Sequence, residues 1–311
     1  MAALFVFSLF SALVDVFASE RLQQVDPGSV AAVAFTLTGA LFCLLAVVRL
    51  RPARLRAVIR AHAADLVVLN ITTAVTWLTL LYALKLMEPA VANVVSIAIG
   101  PACTVLLQVL WWKRDRVLPG ELLSALGILL TLAGLVWASL DGHSGVGDRA
   151  ALAMTLGLCA AVASGAGGAA NGVFSARLGA AGVDVPTVMG LRFALVAAVG
   201  WTLAAFSGTE QLGRALVPGA VVAVIGVSIP AYLVQIGVRK VTPMTASMIC
   251  SLAPGLTLLI QPADDRLTFS VPSTAGIAVI TVFIAFGLLA RRGAPPAAAV
   301  QEGKLHAVSD R

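Results

Sequence analysis

The chain has 311 residues, of which 59% are hydrophobic and only 12% charged, with a mean hydropathy of +0.98. A soluble domain carries about a quarter charged residues, so a water-soluble globular fold is excluded. The net charge of +6 does not point to nucleic acid, because the Lys and Arg residues are scattered between apolar segments instead of forming one basic surface.

Crossing a hydrocarbon core takes roughly 20 apolar residues per helix. In chain order, spans are predicted over 2–19, 28–48, 64–84, 89–112, 118–140, 150–174, 185–206, 216–238, 243–260 and 271–290. The first run has no basic leader and no small-residue cleavage site before the next polar turn, so it is expected to remain as a permanent helix. Pro89, Pro119, Pro186, Pro243 and Pro272 stand near span starts, where a missing N–H costs least. Cys43, Cys103, Cys159 and Cys250 fall inside apolar stretches at spacings that fit no metal or redox motif. His62, His143 and His306 lie outside the spans, and the sequence carries no phosphate-cradling loop and no acyl-transfer signature. No metal, cofactor or catalytic residue is therefore expected. The stretch 293–311, rich in Ala, Pro and charge, is expected to be a disordered tail.

Orientation follows from the basic residues. Thirteen of them, including Arg49, Arg51, Arg54, Arg56 and Arg60, fall in connections on one side, against five on the other. That excess predicts both termini in the cytoplasm of a multi-pass membrane protein.

The second half echoes the first. A shift of 153 residues carries Pro101 onto Pro254, Thr104 onto Thr257, Gln108 onto Gln261, Pro119 onto Pro272 and Gly134 onto Gly287. A shift of 156 carries Ser8 onto Ser164, Asp15 onto Asn171 and Ser19 onto Ser175. Five spans per half is an odd number, so the second repeat is expected to be inverted relative to the first. The predicted units are 1–142, 143–292 and the tail.

Ten spans in two five-span halves resemble the drug/metabolite transporter superfamily, in particular its bacterial EamA-like branch. The stretches 83–134 and 237–287 carry the likeness: a small-residue helix with a central Pro, a charged turn, then a Gly-containing helix. The resemblance implies an all-α polytopic membrane protein, with ten transmembrane helices as two inverted five-helix repeats around a central path. Within the branch, the chain is similar to exporters of aromatic and hydrophobic amino acids. Members often carry a Glu after the fourth and ninth helices. Here Lys113 and Arg114 occupy the first position and Asp264 and Asp265 lie near the second, so no role of that Glu is carried over.

Polar residues inside a span face a packed interior or a watery cavity, since lipid offers them no partner. Helical spacing groups Asn70 and Trp77, with Tyr82 one turn farther outward; Asn93 and Ser96; Tyr232 and Gln235; and Ser251 with Pro254. These are the candidate substrate-binding residues, with aromatic rings to enclose an apolar cargo and amides to fix a polar head. For any single Ser or Thr a bridge between helices is the favoured role, a bond worth roughly 0.6 kcal/mol on average, whereas Trp77, Tyr82, Tyr232 and Gln235 are favoured as lining. Asp15 is a candidate for proton coupling or for a cargo ammonium, with Asn171 as its repeat partner; a solvated place at the outer mouth is the alternative. Arg192, in the seventh span towards the cytoplasm, can attract a carboxylate or snorkel to the inner surface, and snorkelling is the expectation. Pro101, Pro230 and Pro254 are candidate hinges. Spans five and ten, poor in polar groups, are expected to stand outside as supports.

The expected function is secondary export of small metabolites, amino acids foremost, by alternating access. The expected partners are a small-molecule substrate, the lipid bilayer and a coupling proton, with no nucleic acid. Drug or nucleotide-sugar transport on the same fold is the near alternative; an intramembrane enzyme or a passive channel is the distant one.

Overall fold

The computed structural model describes residues 2–22, 24–49, 52–107, 119–140, 151–238, 249–250, 253–260 and 271–292. Among these, 94% of the residues are helical and none is in a strand. Gln235 falls in a helix without a described side chain, and Ser251, like the tail, lies outside the described residues.

Helices α1 (Ala2–Leu22) and α2 (Pro27–Arg49) are joined by a tight turn. Asp26 caps α2: its carboxylate accepts the Ser29 N–H at 3.0 Å. A short helix α3 (Pro52–Ala61) carries the basic cluster and leads into α4 (Ala63–Leu86). Then follow α5 (Pro89–Leu107), α6 (Pro119–Leu140) and α7 (Ala151–Ala180). Helix α7 ends in a left-handed residue, Gly182 at φ 83°, with the Val183 N–H bonded back to the Leu178 carbonyl at 3.1 Å.

The seventh predicted span is not continuous. It divides into α8 (Val185–Leu191) and α9 (Ala194–Ser207), broken at Arg192 and Phe193. The eighth begins earlier than expected, as α10 (Thr209–Val221), and runs through a π-helical segment (Val222–Ser228) into α11 (Ile229–Val238). Pro230 gives the physical reason. It has no N–H to return to a carbonyl one turn back, so the ladder upstream widens, and Ile229 bonds the Val224 carbonyl instead. Thr38 of α2 donates to the Ala223 carbonyl in the widened segment at 3.2 Å. The last described helices are α12 (Ala253–Ile260) and α13 (Val271–Arg292).

Among the described residues, five stretches are long and apolar enough to cross a membrane: Pro27–Arg49, Ala63–Leu86, Leu152–Ala180, Val185–Ser207 and Thr209–Val234. Shorter apolar helices complete the set at Leu4–Ala18, Val91–Gly100, Leu122–Gly134 and Thr274–Gly287. Large apolar side chains stand on the outside: Phe206 is 86% exposed, Val48 76% and Trp137 73%. A surface of this kind is matched to lipid, not to water.

The packing follows a definite set of partners. Helix α4 packs along α7, and α1 packs along α11 and the π segment. Helix α5 packs on α7, and α1 packs on α12. Helix α2 lies against α8 and α9, α5 against α12, and α6 against α13. Small residues permit the closest approaches: at Gly165 of α7 a methyl group would sit 2.1 Å from the Ser96 carbonyl oxygen of α5. The α6–α13 pair is fastened by Ser124, which donates to the Phe283 carbonyl at 2.6 Å.

Candidate functional site

A cavity of about 270 Å³ opens between α1, α4, α5, α7 and the elements following α9. Its walls are mainly apolar or glycine, with Phe7 from α1, Trp77 and Leu80 from α4, Ile97 from α5 and the small residues of α7. Among the described residues, neither α6 nor α13 contributes to the lining.

Polar groups enter this cavity in clusters. On α1, Asp15 is 6% exposed, and its carboxylate accepts a hydrogen bond from the Asn93 amide. The same amide donates to Thr257 Oγ1 at 2.9 Å, so both of its N–H groups are engaged. Thr257 in turn donates to the Ala253 carbonyl at 3.1 Å. Asp15 is therefore held within the protein, in place of the solvated outer mouth considered for it.

A second cluster centres on Asn171. Its amide N–H donates to Thr73 Oγ1 at 2.6 Å, and its oxygen accepts a hydrogen bond from Arg192. Arg192 is only 8% exposed and lies 5.4 Å over the Phe193 ring. The expected snorkelling is thus overturned: the break between α8 and α9 turns this residue inward, where Asn171 offers a partner. A third cluster ties three helices, with Ser96 donating to Ser164 and Ser164 to the Thr76 carbonyl, each at 2.9 Å.

Among the residues singled out from sequence, Asp15, Trp77, Asn93, Ser96 and Asn171 meet in this cavity. Asn70, Tyr82 and Tyr232 are not among its walls. The Asn70 amide is engaged at the helix break. Its N–H groups donate to the Leu191 carbonyl at 2.7 Å and the Leu66 carbonyl at 2.9 Å, and its oxygen accepts the Leu195 N–H at 3.2 Å. It serves the groups that a broken membrane helix leaves open, which is a bridging role. Tyr232 stacks on Phe42 with ring centroids 6.1 Å apart. Pro230 adjoins the π segment, Pro254 is buried in the first turn of α12, and Pro101 lies within α5.

Sequence reasoning weighed a carboxylate-attracting role for Arg192 but favoured the inner surface over the cavity wall where it stands. The available signal was its place on a predicted span opposite a span carrying a buried amide, since an ionisable group at depth points inward by default.

Comparisons with known proteins place this geometry. The chain is similar to a protein of known crystal structure, at 22% identity and a TM-score of 0.66, over 95% of this chain and 99% of that one. This likeness carries the fold alone. No curated protein matches the chain. Residues 1–140 match the EamA-like transporter family, consistent with a multi-pass membrane protein of the drug/metabolite transporter superfamily.

Proposed function

We propose that the chain is a secondary transporter that exports small metabolites, hydrophobic and aromatic amino acids foremost, across the bacterial inner membrane by alternating access. The observation that carries the reading is the cavity itself: mainly apolar, at the meeting of the helices, with polar side chains at defined points of its wall. Its 270 Å³ exceeds the roughly 150 Å³ that accepts benzene in an engineered site, which leaves room for one ring and a short polar backbone. Trp77, Phe7 and Leu80 would enclose the apolar part of the cargo.

The fold we propose has ten spans in two inverted repeats, 1–142 and 143–292, with both termini cytoplasmic. The set of packing partners supports it. Exchanging the halves sends α4 on α7 to α11 on α1, and α5 on α7 to α12 on α1. The same exchange returns α2 with α8–α9, α5 with α12, and α6 with α13 to themselves. Two similar halves that can rock about a shared cavity are the usual basis of alternating access. Pro101, Pro230 and Pro254 would serve as hinges, Pro230 most directly because the π segment beside it already departs from the regular ladder.

Asp15 would couple transport to protons. A carboxylate that can hold either a proton or a cargo ammonium, but not both, makes the two exchange places across the membrane. The test is counterflow in proteoliposomes: purified protein should accumulate labelled phenylalanine against unlabelled phenylalanine without ATP, with saturation. Flux that rises linearly with concentration would favour a channel, and no flux with any of a panel of amino acids would end the amino-acid reading.

A further inference from the structure

We infer that Arg192 and Ser175 form a carboxylate subsite in the cavity, so that with Asp15 the site selects cargo bearing an ammonium and a carboxylate together. The inference deepens the proposed amino-acid reading and rests on it.

Arg192 lacks a counter-ion: among the described residues its guanidinium makes no ion pair. One terminal nitrogen donates to Asn171, the other finds only the Met189 sulfur at 3.8 Å, and Nε meets no acceptor. A thioether is a weak acceptor, and a cation taken out of water normally has a carboxylate or several strong acceptors around it. The unengaged N–H groups of a guanidinium form the planar fork that fits a carboxylate.

Ser175 supplies an independent observation. It lies one turn beyond Asn171 on the same face of α7, is 2% exposed and lines the same cavity. Helical hydroxyls in this protein commonly donate to the carbonyl four residues back, as Ser8, Thr73 and Thr76 do. The Ser175 hydroxyl makes no such bond and has no other partner. Two buried, unsatisfied donors thus flank Asn171 in a mainly apolar cavity. Buried polar groups rarely stay unpaired in a working site, and an anionic ligand satisfies both. Asp15, on α1, lines the same cavity and in its ionised form would take the ammonium of a zwitterion whose carboxylate lies at Arg192 and Ser175.

The experiment uses full-length protein in proteoliposomes, with labelled phenylalanine counterflow challenged by phenylalanine, phenylalanine amide and phenethylamine. The two analogues lack the carboxylate and keep the ring and the amine. Wild type should prefer phenylalanine by about tenfold or more, the cost of leaving buried donors unpaired. Arg192→Gln should weaken phenylalanine by about tenfold or more and leave the two analogues unchanged, so the preference collapses. Arg192→Lys should keep part of it, and Ser175→Ala should lower it severalfold. Retention of the wild-type preference in Arg192→Gln overturns the inference. If that variant does not reach the membrane folded, an unchanged preference in Ser175→Ala overturns it instead. Absence of phenylalanine counterflow in wild type would sink the amino-acid reading itself, a distinct result.

Discussion

Gly165→Ala should destabilise the protein, although the substitution favours an isolated helix. A Gly in a helix interior costs about 1 kcal/mol relative to Ala, so propensity alone predicts a gain. At Gly165 the new methyl would lie 2.1 Å from the Ser96 carbonyl oxygen and 2.5 Å from Ile99 Cγ2. The oxygen belongs to helical backbone and cannot swing aside, so α5 and α7 must part by about 0.9 Å merely to reach the 3.0 Å limit. A gap of that size forfeits roughly a quarter to a half of each dispersion contact along the seam. It also strains the Ser96–Ser164 bond of 2.9 Å. Overpacking of this kind costs about 1–3 kcal/mol, and the rigid obstacle puts Gly165 at the top of that range. After the helix gain, the net loss is about 2 kcal/mol. Gly168 is the control: it lies in the same helix and lines the same cavity, but its methyl would come no closer than 3.8 Å to Thr76. Gly168→Ala should therefore gain up to about 1 kcal/mol, separating the two variants by roughly 3 kcal/mol. Thermal unfolding of both in the same detergent reads the difference. Equal stability, or a more stable Gly165→Ala, would refute the claim that close backbone contact sets this seam.

Asn70→Leu should cost about 2–3 kcal/mol in thermal or denaturant stability, because the Leu191 carbonyl and Leu195 N–H at the helix break lose their partner. Trp77→Ala should change cargo preference in competition assays, whereas Tyr82→Ala, at a residue outside the cavity wall, should leave it intact. Asp15→Asn should reduce counterflow and abolish its response to pH; unchanged transport with unchanged pH dependence would remove the coupling role. Ser124→Ala should lower stability by about 0.6 kcal/mol without affecting cargo preference, because its bond to Phe283 joins two helices remote from the cavity.

Residues whose burial was dictated by chemistry were legible in the sequence. Asp15, Asn93 and Asn171 could not face lipid, and helical spacing then placed them inward. The long spans at Pro27–Arg49 and Ala63–Leu86 followed from hydropathy, and α6 and α13 were recognisable by their few polar groups. Helix irregularity was not legible. Nothing in the apolar pattern around Arg192 and Phe193 marks a break, because the groups that satisfy it come from Asn70, 125 residues away from Leu195 in the chain. Period and spacing cannot register a partner that remote. The same limit applies to Asn70 itself: its polarity required an inward face, but a cavity wall and a broken helix make the same demand.

The two repeats we propose differ where their polar clusters stand, and that difference bears on mechanism. Repeat alignment puts Asp15 against Asn171, an acid against its uncharged near-isostere. Each takes part in one hydrogen-bonded cluster, the acid with Asn93 and the amide with Arg192. If duplication supplied the framework, one copy keeps a negative charge and the other has placed a cation beside a neutral amide. A symmetric pair of carboxylates would repel across a cavity of low polarity, and a symmetric pair of amides would leave no carboxylate to take a cargo ammonium. The unlike pair avoids both costs and gives the cavity a direction. On the proposed mechanism, that direction orients the cargo the same way whichever side is open, so a single binding pose serves both halves of the transport cycle. A double variant exchanging Asp15 and Asn171 tests this. It should fold, because the two side chains are nearly equal in volume, but it should put a carboxylate beside Arg192. The new internal ion pair would occupy the guanidinium, and phenylalanine counterflow should fall by at least about tenfold. Wild-type counterflow in the exchanged variant would show that the unlike pair plays no part in holding cargo.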